Sequence, residues 1–238
     1  MTLDRGFRLT WLGHGTFRLD TRGGKTVLLD AWVEGNPACP KEARSFEKID
    51  VMAISHGHGD HMADAVTLAK KFKPVVLCNY EIGLFLGRQG VTNVQPMNKG
   101  GGQDVAGIRF SMVHAVHSSG IEDGGQVIYG GEACGYAIVL EDGTRLYWAG
   151  DTAVHSDMAL IGELHRPEIA LLPIGDLFTM SPKEAAMAAR MLRPKWIVPM
   201  HFGTFPALTG TPDALRAELK ALGVEAEVLA LAPGETLA

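Results

Sequence analysis

A chain of 238 residues, 46% hydrophobic and 21% charged, is long enough to bury a full core, and one domain over residues 1–238 is the expected organisation. The formal net charge of −5 comes with Lys and Arg scattered along the chain. No basic stripe is present to hold a phosphate backbone, so a nucleic-acid partner is disfavoured and a small-molecule substrate expected.

The opening Met1 to Gly6 carries no apolar leader, and no run is long enough to span a membrane. Cys39, Cys78 and Cys134 fall in no C-x-x-C pair and read as reduced, mostly buried thiols of a cytoplasmic protein. Residues 7–12, 16–20 and 26–29 are short alternating runs separated by Gly13-His14-Gly15 and Arg22-Gly23-Gly24, the pattern of an antiparallel meander. Asp30 ends the third run. Residues 31–47, with Pro37 and Pro40, form a long polar loop suited to walling a pocket.

Residues 51–54 read as a buried strand and 64–71 as a helix. Between them runs Ser55-His56-Gly57-His58-Gly59-Asp60-His61, with four potential metal ligands in six residues. A loop at the carboxyl end of a strand is where α/β folds place their chemistry. Imidazole nitrogen and carboxylate oxygen without thiolate suit zinc, manganese, iron or nickel rather than a Cys-rich structural zinc site. Capping the following helix would use one of these side chains, not four. Gly57 and Gly59 are expected to bend the backbone so that alternate side chains converge.

Residues 74–78 form another buried strand and 81–86 a short helix, and Asn98 to Gly102 reads as a glycine-rich connection. Residues 108–116 alternate as a strand that puts Phe110, Met112 and His114 on one face and Val113, Ala115 and His117 on the other. His117, at the strand's end before Ser118-Ser119-Gly120, is therefore the candidate ligand, and His114 a packed histidine. The glycine-rich stretch 120–131 flanks the pocket. Residues 136–140 and 145–148 pair as a hairpin, and Gly150-Asp151-Thr152 then breaks the second strand at its carboxyl end. Asp151 thus takes the same kind of position as His56.

A helix over 157–164 leads to a strand at 169–172 and a loop at 175–179. Ser181-Pro182-Lys183-Glu184 is a capping-box helix start, with the helix running to Leu192. A strand at 196–200 delivers His201 at its end. Thr211-Pro212 starts a helix over 213–222, followed by a strand at 227–231. The second half repeats the meander-then-αβ order of the first, which predicts an α/β fold: a four-layer αββα sandwich of two mixed sheets flanked by helices.

His56-x-His58-x-Asp60-His61, a lone His117, Gly150-Asp151-Thr152 and His201, in that order over nearly the whole chain, resemble the metallo-β-lactamase superfamily. Trp11-Leu12-Gly13-His14, His117-Ser118-Ser119 and Leu172-Pro173-Ile174-Gly175-Asp176 resemble its small metal-dependent hydrolases of bacteria and archaea, whose substrates are poorly characterised. The resemblance implies the αββα fold. It assigns His56, His58 and His117 to one metal, Asp60, His61 and His201 to a second, and Asp151 as the bridge. Two divalent ions per chain are expected, zinc first, with manganese, nickel or iron as alternatives.

Such a pair lowers the pKa of a shared water from 15.7 towards about 7, so that hydroxide forms without a protein base. Asp60 is the expected catalytic residue, orienting the nucleophile or shuttling its proton. The implied reaction is hydrolysis of an ester-like bond, whether phosphodiester, lactone, thioester or amide, in a small molecule. The rivals are a non-catalytic metal sensor or scaffold and a lyase or isomerase that uses the metals as Lewis acid. No long insertion of the kind nuclease members use to clamp RNA or DNA is present, and the oligomeric state stays open. His14 reads either as a contact to the site or as a turn histidine. His155 and His165 read as surface or packing residues, and Asp176 as bonding local backbone. Phe178, Tyr129 and Phe202 either line a cleft or belong to the core.

Overall fold

Alternating runs joined by tight turns pair antiparallel, whereas apolar runs followed by helices pair parallel, and each half of this chain uses both. The computed structural model describes residue 3 and residues 6–238. The leaderless opening read from Met1 to Gly6 lies, apart from Leu3 and Gly6, outside the described residues. The first half supplies β1 (Arg8–Gly13), β2 (Thr16–Asp20), β3 (Thr26–Leu29) and β4 (Val51–Ala53). It continues with α1 (Gly59–Met62), α2 (Ala65–Phe72), β5 (Val75–Asn79), α3 (Tyr80–Arg88) and β6 (Val94–Met97).

The second half opens with β7 (Gly102–Val105) and β8 (Ile108–His114), a separate hairpin of β9 (Gly120–Asp123) and β10 (Gln126–Tyr129), then β11 (Cys134–Val139) and β12 (Arg145–Trp148). It closes with α4 (Asp157–His165), β13 (Ile169–Pro173), α5 (Pro182–Leu192), β14 (Trp196–Met200), α6 (Pro212–Leu222), β15 (Glu227–Val228) and β16 (Thr236–Leu237).

Two seven-stranded sheets result, in the orders β16-β1-β2-β3-β4-β5-β6 and β15-β14-β13-β12-β11-β8-β7. In the first, β1, β2 and β3 pair antiparallel and β3 to β6 parallel. In the second, β7, β8, β11 and β12 pair antiparallel and β12 to β15 parallel. The repeat expected from the sequence is therefore present in the pairing. The last strand is shorter than expected, 227–228 rather than 227–231. β6, β7, the hairpin β9–β10 and β16 are strands that the apolar pattern did not reveal. β16 is only two residues long and exists because it pairs with β1.

Side-chain alternation sorts the core into layers. Val27, Leu29, Val51, Ala53 and Leu77 face the second sheet and join its Phe110, Tyr136, Leu146 and Trp148 in one cluster. Leu28, Met52, Ile54, Val76 and Cys78 point the other way and are covered by Leu68 and Ala69 of α2 and by Ile82 and Leu86 of α3. With both faces buried, β4 reads as a continuous apolar run rather than an alternating one. α4, α5 and α6 cover the outer face of the second sheet with Met158, Ile161, Ala185, Ala189, Leu215 and Leu219. The architecture is αββα. Cys39, Cys78 and Cys134 are free and buried, and among the described residues no helix is long and apolar enough to cross a membrane.

The start of α5 forms as its sequence predicts. Glu184 N donates to Ser181 Oγ at 3.4 Å, and Ser181 N donates to Glu184 Oε2 at 2.8 Å, with Pro182 opening the helix. Ser181→Ala removes one side of this box and is expected to lower unfolding stability by about 1 kcal/mol. Urea unfolding followed by circular dichroism checks the value.

Candidate metal centre

The parallel strands of both sheets end at one edge of the sandwich, and the loops that leave those ends carry the polar residues. His56, His58, Asp60 and His61 follow β4, with α1 beginning inside the motif at Gly59. His117 follows β8, Asp151 follows β12 and His201 follows β14. β8 stops at His114, so strand parity does not reach His117. The loop itself turns that side chain towards the others.

Asp151 lies at the meeting point. Its Oδ2 is 3.0 Å from His201 Nε2, 3.3 Å from His61 Nε2, 3.7 Å from His117 Nε2 and 4.0 Å from His56 Nε2. On one side of it, His56, His58 and His117 each offer a ligand atom within 4.8 Å of the others. On the other side, His14, Asp60, His61 and His201 do the same. His56 Nε2 and His58 Nδ1 face each other at 3.0 Å, close to the separation of about 3.4 Å that tetrahedral nitrogen ligands keep.

Asp30, which the sequence marks only as the end of a strand, orients a histidine of each cluster. His61 Nδ1 donates to Asp30 Oδ2 at 2.6 Å, which leaves Nε2 facing Asp151. Ser55 Oγ donates to the same oxygen at 2.8 Å and sits 2.9 Å from His56 Nδ1, which leaves His56 Nε2 facing His58. Asp30 is wholly buried and also accepts from Ser55 N at 2.8 Å. Carboxylate–histidine pairs of this kind fix the ring and raise its basicity as a ligand.

The backbone is bent to the same end. His14, Asp30 and His201 all adopt the left-handed conformation, with φ of 56°, 56° and 54°. Non-glycine residues pay roughly 1–2 kcal/mol each for this conformation. Gly150 has φ of 60°, and a Cβ there would lie 2.7 Å from Ser55 Cβ and 2.8 Å from the Cys134 carbonyl oxygen, so glycine alone sets the turn into Asp151. The expected bend falls at Gly57, whereas Gly59 opens α1 instead. Neither has a left-handed φ. Gly57 is required because a Cβ would lie 2.7 Å from Ile121 Cγ1, where the β9–β10 hairpin crosses the ligand loop, whereas Gly59 faces open space.

The charges are strongly coupled. Burial opposes ionisation of Asp151, but His201 and His61 outweigh it and hold the carboxyl well below its usual range. Burial likewise opposes charge on His61, yet Asp151 and Asp30 raise it well above its ordinary value. Burial, reinforced by His61, holds His56 well below its own. His61 Nε2, both ring nitrogens of His201 and Asp151 Oδ1 are buried without a hydrogen-bond partner, although His201 Nε2 approaches Asp151 closely. Unpaired nitrogen and oxygen atoms converging on one region are what a divalent cation satisfies, and the His/Asp set fits one.

His14, left open by the sequence, belongs to this site. It is fully buried, its Nε2 is 3.0 Å from Asp60 Oδ2 and its Nδ1 is 3.0 Å from Thr204 Oγ1. Burial pushes its pKa down to about 4 against the pull of Asp60. Asp60 is lowered in turn, with the His14 bond and His61 overcoming its burial. Trp32, from the loop read as polar, and Phe205 flank His14, with ring centroids 5.2 and 5.7 Å from it. Phe202 stacks on Trp11 at 5.1 Å, while Phe178 and Tyr129 are exposed. Asp176 bonds locally, accepting from Leu177 N at 2.8 Å. His165, the last residue of α4, is in none of the metal-capable clusters of the described residues.

Asp30→Asn preserves shape and tolerates the left-handed backbone while removing the charge that holds His61. It is expected to weaken zinc binding by about 10–100-fold, read by competition with a chromogenic chelator. His61 must also lose a proton from Nε2 before it binds a metal, and Asp151 and Asp30 favour keeping that proton. Wild-type zinc affinity is therefore expected to keep rising with pH above the ordinary histidine value of about 6.5, with proton release on binding. The same competition titration in weakly and strongly protonating buffers checks it.

Residues 25–202 match the model of the beta-lactamase superfamily domain. The chain is similar to a UPF0173 metal-dependent hydrolase of Koribacter versatilis, 55% identical over 232 residues that cover 98% of each chain. Another, from Methanopyrus kandleri, is 44% identical over 231 residues, 96% of this chain and 98% of its own. Among solved structures, a metallo hydrolase from the hyperthermophilic archaeon Ignicoccus hospitalis gives a TM-score of 0.85 at 33% identity, covering 97% of both chains. The chain belongs to the metallo-β-lactamase superfamily, among its metal-dependent hydrolases.

Proposed function

We propose that the protein hydrolyses an ester-like bond, a phosphodiester, lactone, thioester or amide, in a small molecule, with two divalent ions, zinc first, held on either side of Asp151. One observation carries the reading: a single buried carboxylate oxygen lies within 4.0 Å of four imidazole nitrogens drawn from three loops. His56, His58 and His117 hold one ion and Asp60, His61 and His201 the other, with Asp151 shared. When bound, the ions supply an activated water near neutral pH and positive charge where an oxyanion develops.

The chain's own residues do the rest. Asp60 is partly exposed, with 34% of its side chain open, and its Oδ2 is tethered to His14 Nε2 at 3.0 Å. A carboxylate held ionised and aimed in this way orients the attacking water, and its low basicity suits orientation better than proton storage. Phe205, 40% exposed and 6.2 Å from Trp32 ring to ring, offers an apolar ledge beside Asp60's partner His14 for the non-reacting part of a substrate. The three free cysteines are in keeping with a reducing cytoplasm. A sensor or scaffold would bind the same metals without turnover.

Asp151→Ala is expected to lose most bound metal and nearly all hydrolysis together, measured by elemental analysis alongside turnover of p-nitrophenyl phosphodiesters and acyl esters. Full metal with normal turnover would contradict the shared role. Phe205→Ala is expected to raise KM several-fold for aryl esters with metal content and kcat unchanged, read from Michaelis curves on the same esters.

A further inference from the structure

A second pair of histidines lies apart from this centre. His114 is the last residue of β8, and His155 precedes α4 by two positions. The segments that carry them run side by side: Val116 N donates to Thr152 Oγ1 at 3.0 Å, and Ala153 N donates to the Val116 carbonyl at 3.0 Å. Their rings meet edge to face with centroids 5.1 Å apart. Both ring nitrogens of His155 are shut away from solvent, and neither has a hydrogen-bond partner. A neutral imidazole has one N–H donor and one lone pair. Enclosing both without partners is unusual and points to a group that is satisfied from outside the chain.

His114, His155 and Asp157 each offer a ligand atom within 4.8 Å of the others. Tetrahedral ligands of a zinc ion stand about 3.4 Å apart, so these side chains would have to close in slightly on a bound ion. We propose that His114, His155 and Asp157 form a separate site for one divalent cation, zinc by its donor chemistry. Two imidazoles and one carboxylate are the protein ligands of open zinc sites, in which water takes the remaining position. Asp157 is exposed and supplies the negative charge at the solvent side.

Lys99 sets the affinity of this site. Its Nζ is 3.0 Å from His114 Nδ1 and 2.6 Å from Glu132 Oε2. An ammonium group can only donate. It therefore occupies the lone pair on Nδ1 and leaves the ring proton on Nε2. A metal ion binding at either nitrogen must displace the ammonium or that proton, and it also meets the positive charge of Lys99. Removing Lys99 strengthens metal binding, whereas removing a ligand abolishes it.

Zinc titration of the full-length protein, with bound metal counted per chain, tests the proposal. Wild type is expected to take up one zinc beyond those held around Asp151. His155→Gln and Asp157→Asn are each expected to lose that ion alone, and Lys99→Met to bind it about tenfold more tightly. Asp151→Ala separates the two sites, because it empties the centre described above and keeps this ion. Asp157 is exposed, so an unchanged melting temperature in Asp157→Asn shows that the loss is local. The proposal is overturned if His155→Gln and Asp157→Asn both keep the wild-type zinc count and affinity.

Discussion

The structure turns on a buried carboxylate. Asp151 is only 2% exposed, and a carboxylate removed from water costs several kcal/mol unless opposite charge and hydrogen-bonding partners replace the solvent. Four imidazoles surround its Oδ2, and they come from the ends of strands in both sheets. The two sheets must therefore pack in one register before that charge is compensated. Left-handed backbone at His14, Asp30 and His201 is conformational strain that such a site can hold only because strand pairing on either side over-determines it.

The two halves of the chain divide the work. The first contributes the compact ligand loop after β4 and the carboxylate of Asp30, which acts directly on His61 and through Ser55 on His56. The second contributes three isolated residues, His117, Asp151 and His201, each at the exit of a different strand. A dense local motif and three distant single residues are a natural outcome of packing two similar αβ halves face to face. The loops at one end of both sheets then share a single space. The β9–β10 hairpin ties the halves together there, with Ser119 Oγ accepting from Gly57 N at 3.0 Å and donating to the Gly130 carbonyl at 2.9 Å.

Metal-capable residues are not confined to the central site. The loops that carry His117 and Asp151 also bring His114 against His155, so one pair of adjacent segments serves two clusters. The surroundings of the two differ. Around Asp151 the rings are oriented by the buried acceptors Asp30 and Ser55, which prepares their free nitrogens for a cation. At His114 the neighbour is the ammonium of Lys99, which competes with one.

Sequence alone determined whatever rests on residue type and short spacing. The ligand loop from His56 to His61 is readable because its chemistry lies in which side chains are present and its spacing spans one turn of chain. The capping box at Ser181 and Glu184 is equally local. Burial on both faces of β4 leaves an apolar run that places the loop after a strand, and similar strand ends flag Asp151 and His201. Tertiary structure decided what depends on distant partners. Asp30 becomes an orienting group only because Ser55 and His61 fold onto it, and Trp32 and Phe205 flank His14 only because two irregular loops meet there. Gly57 both bends the ligand loop and leaves room for the hairpin that crosses it, and the two residues of β16 form a strand solely by pairing with β1. His114 and His155 lie 41 positions apart in sequence, and no pattern along the chain announces that their rings touch. Local chemistry is written in neighbouring residues, whereas the partner of a side chain across a sandwich is fixed by strand register and loop path.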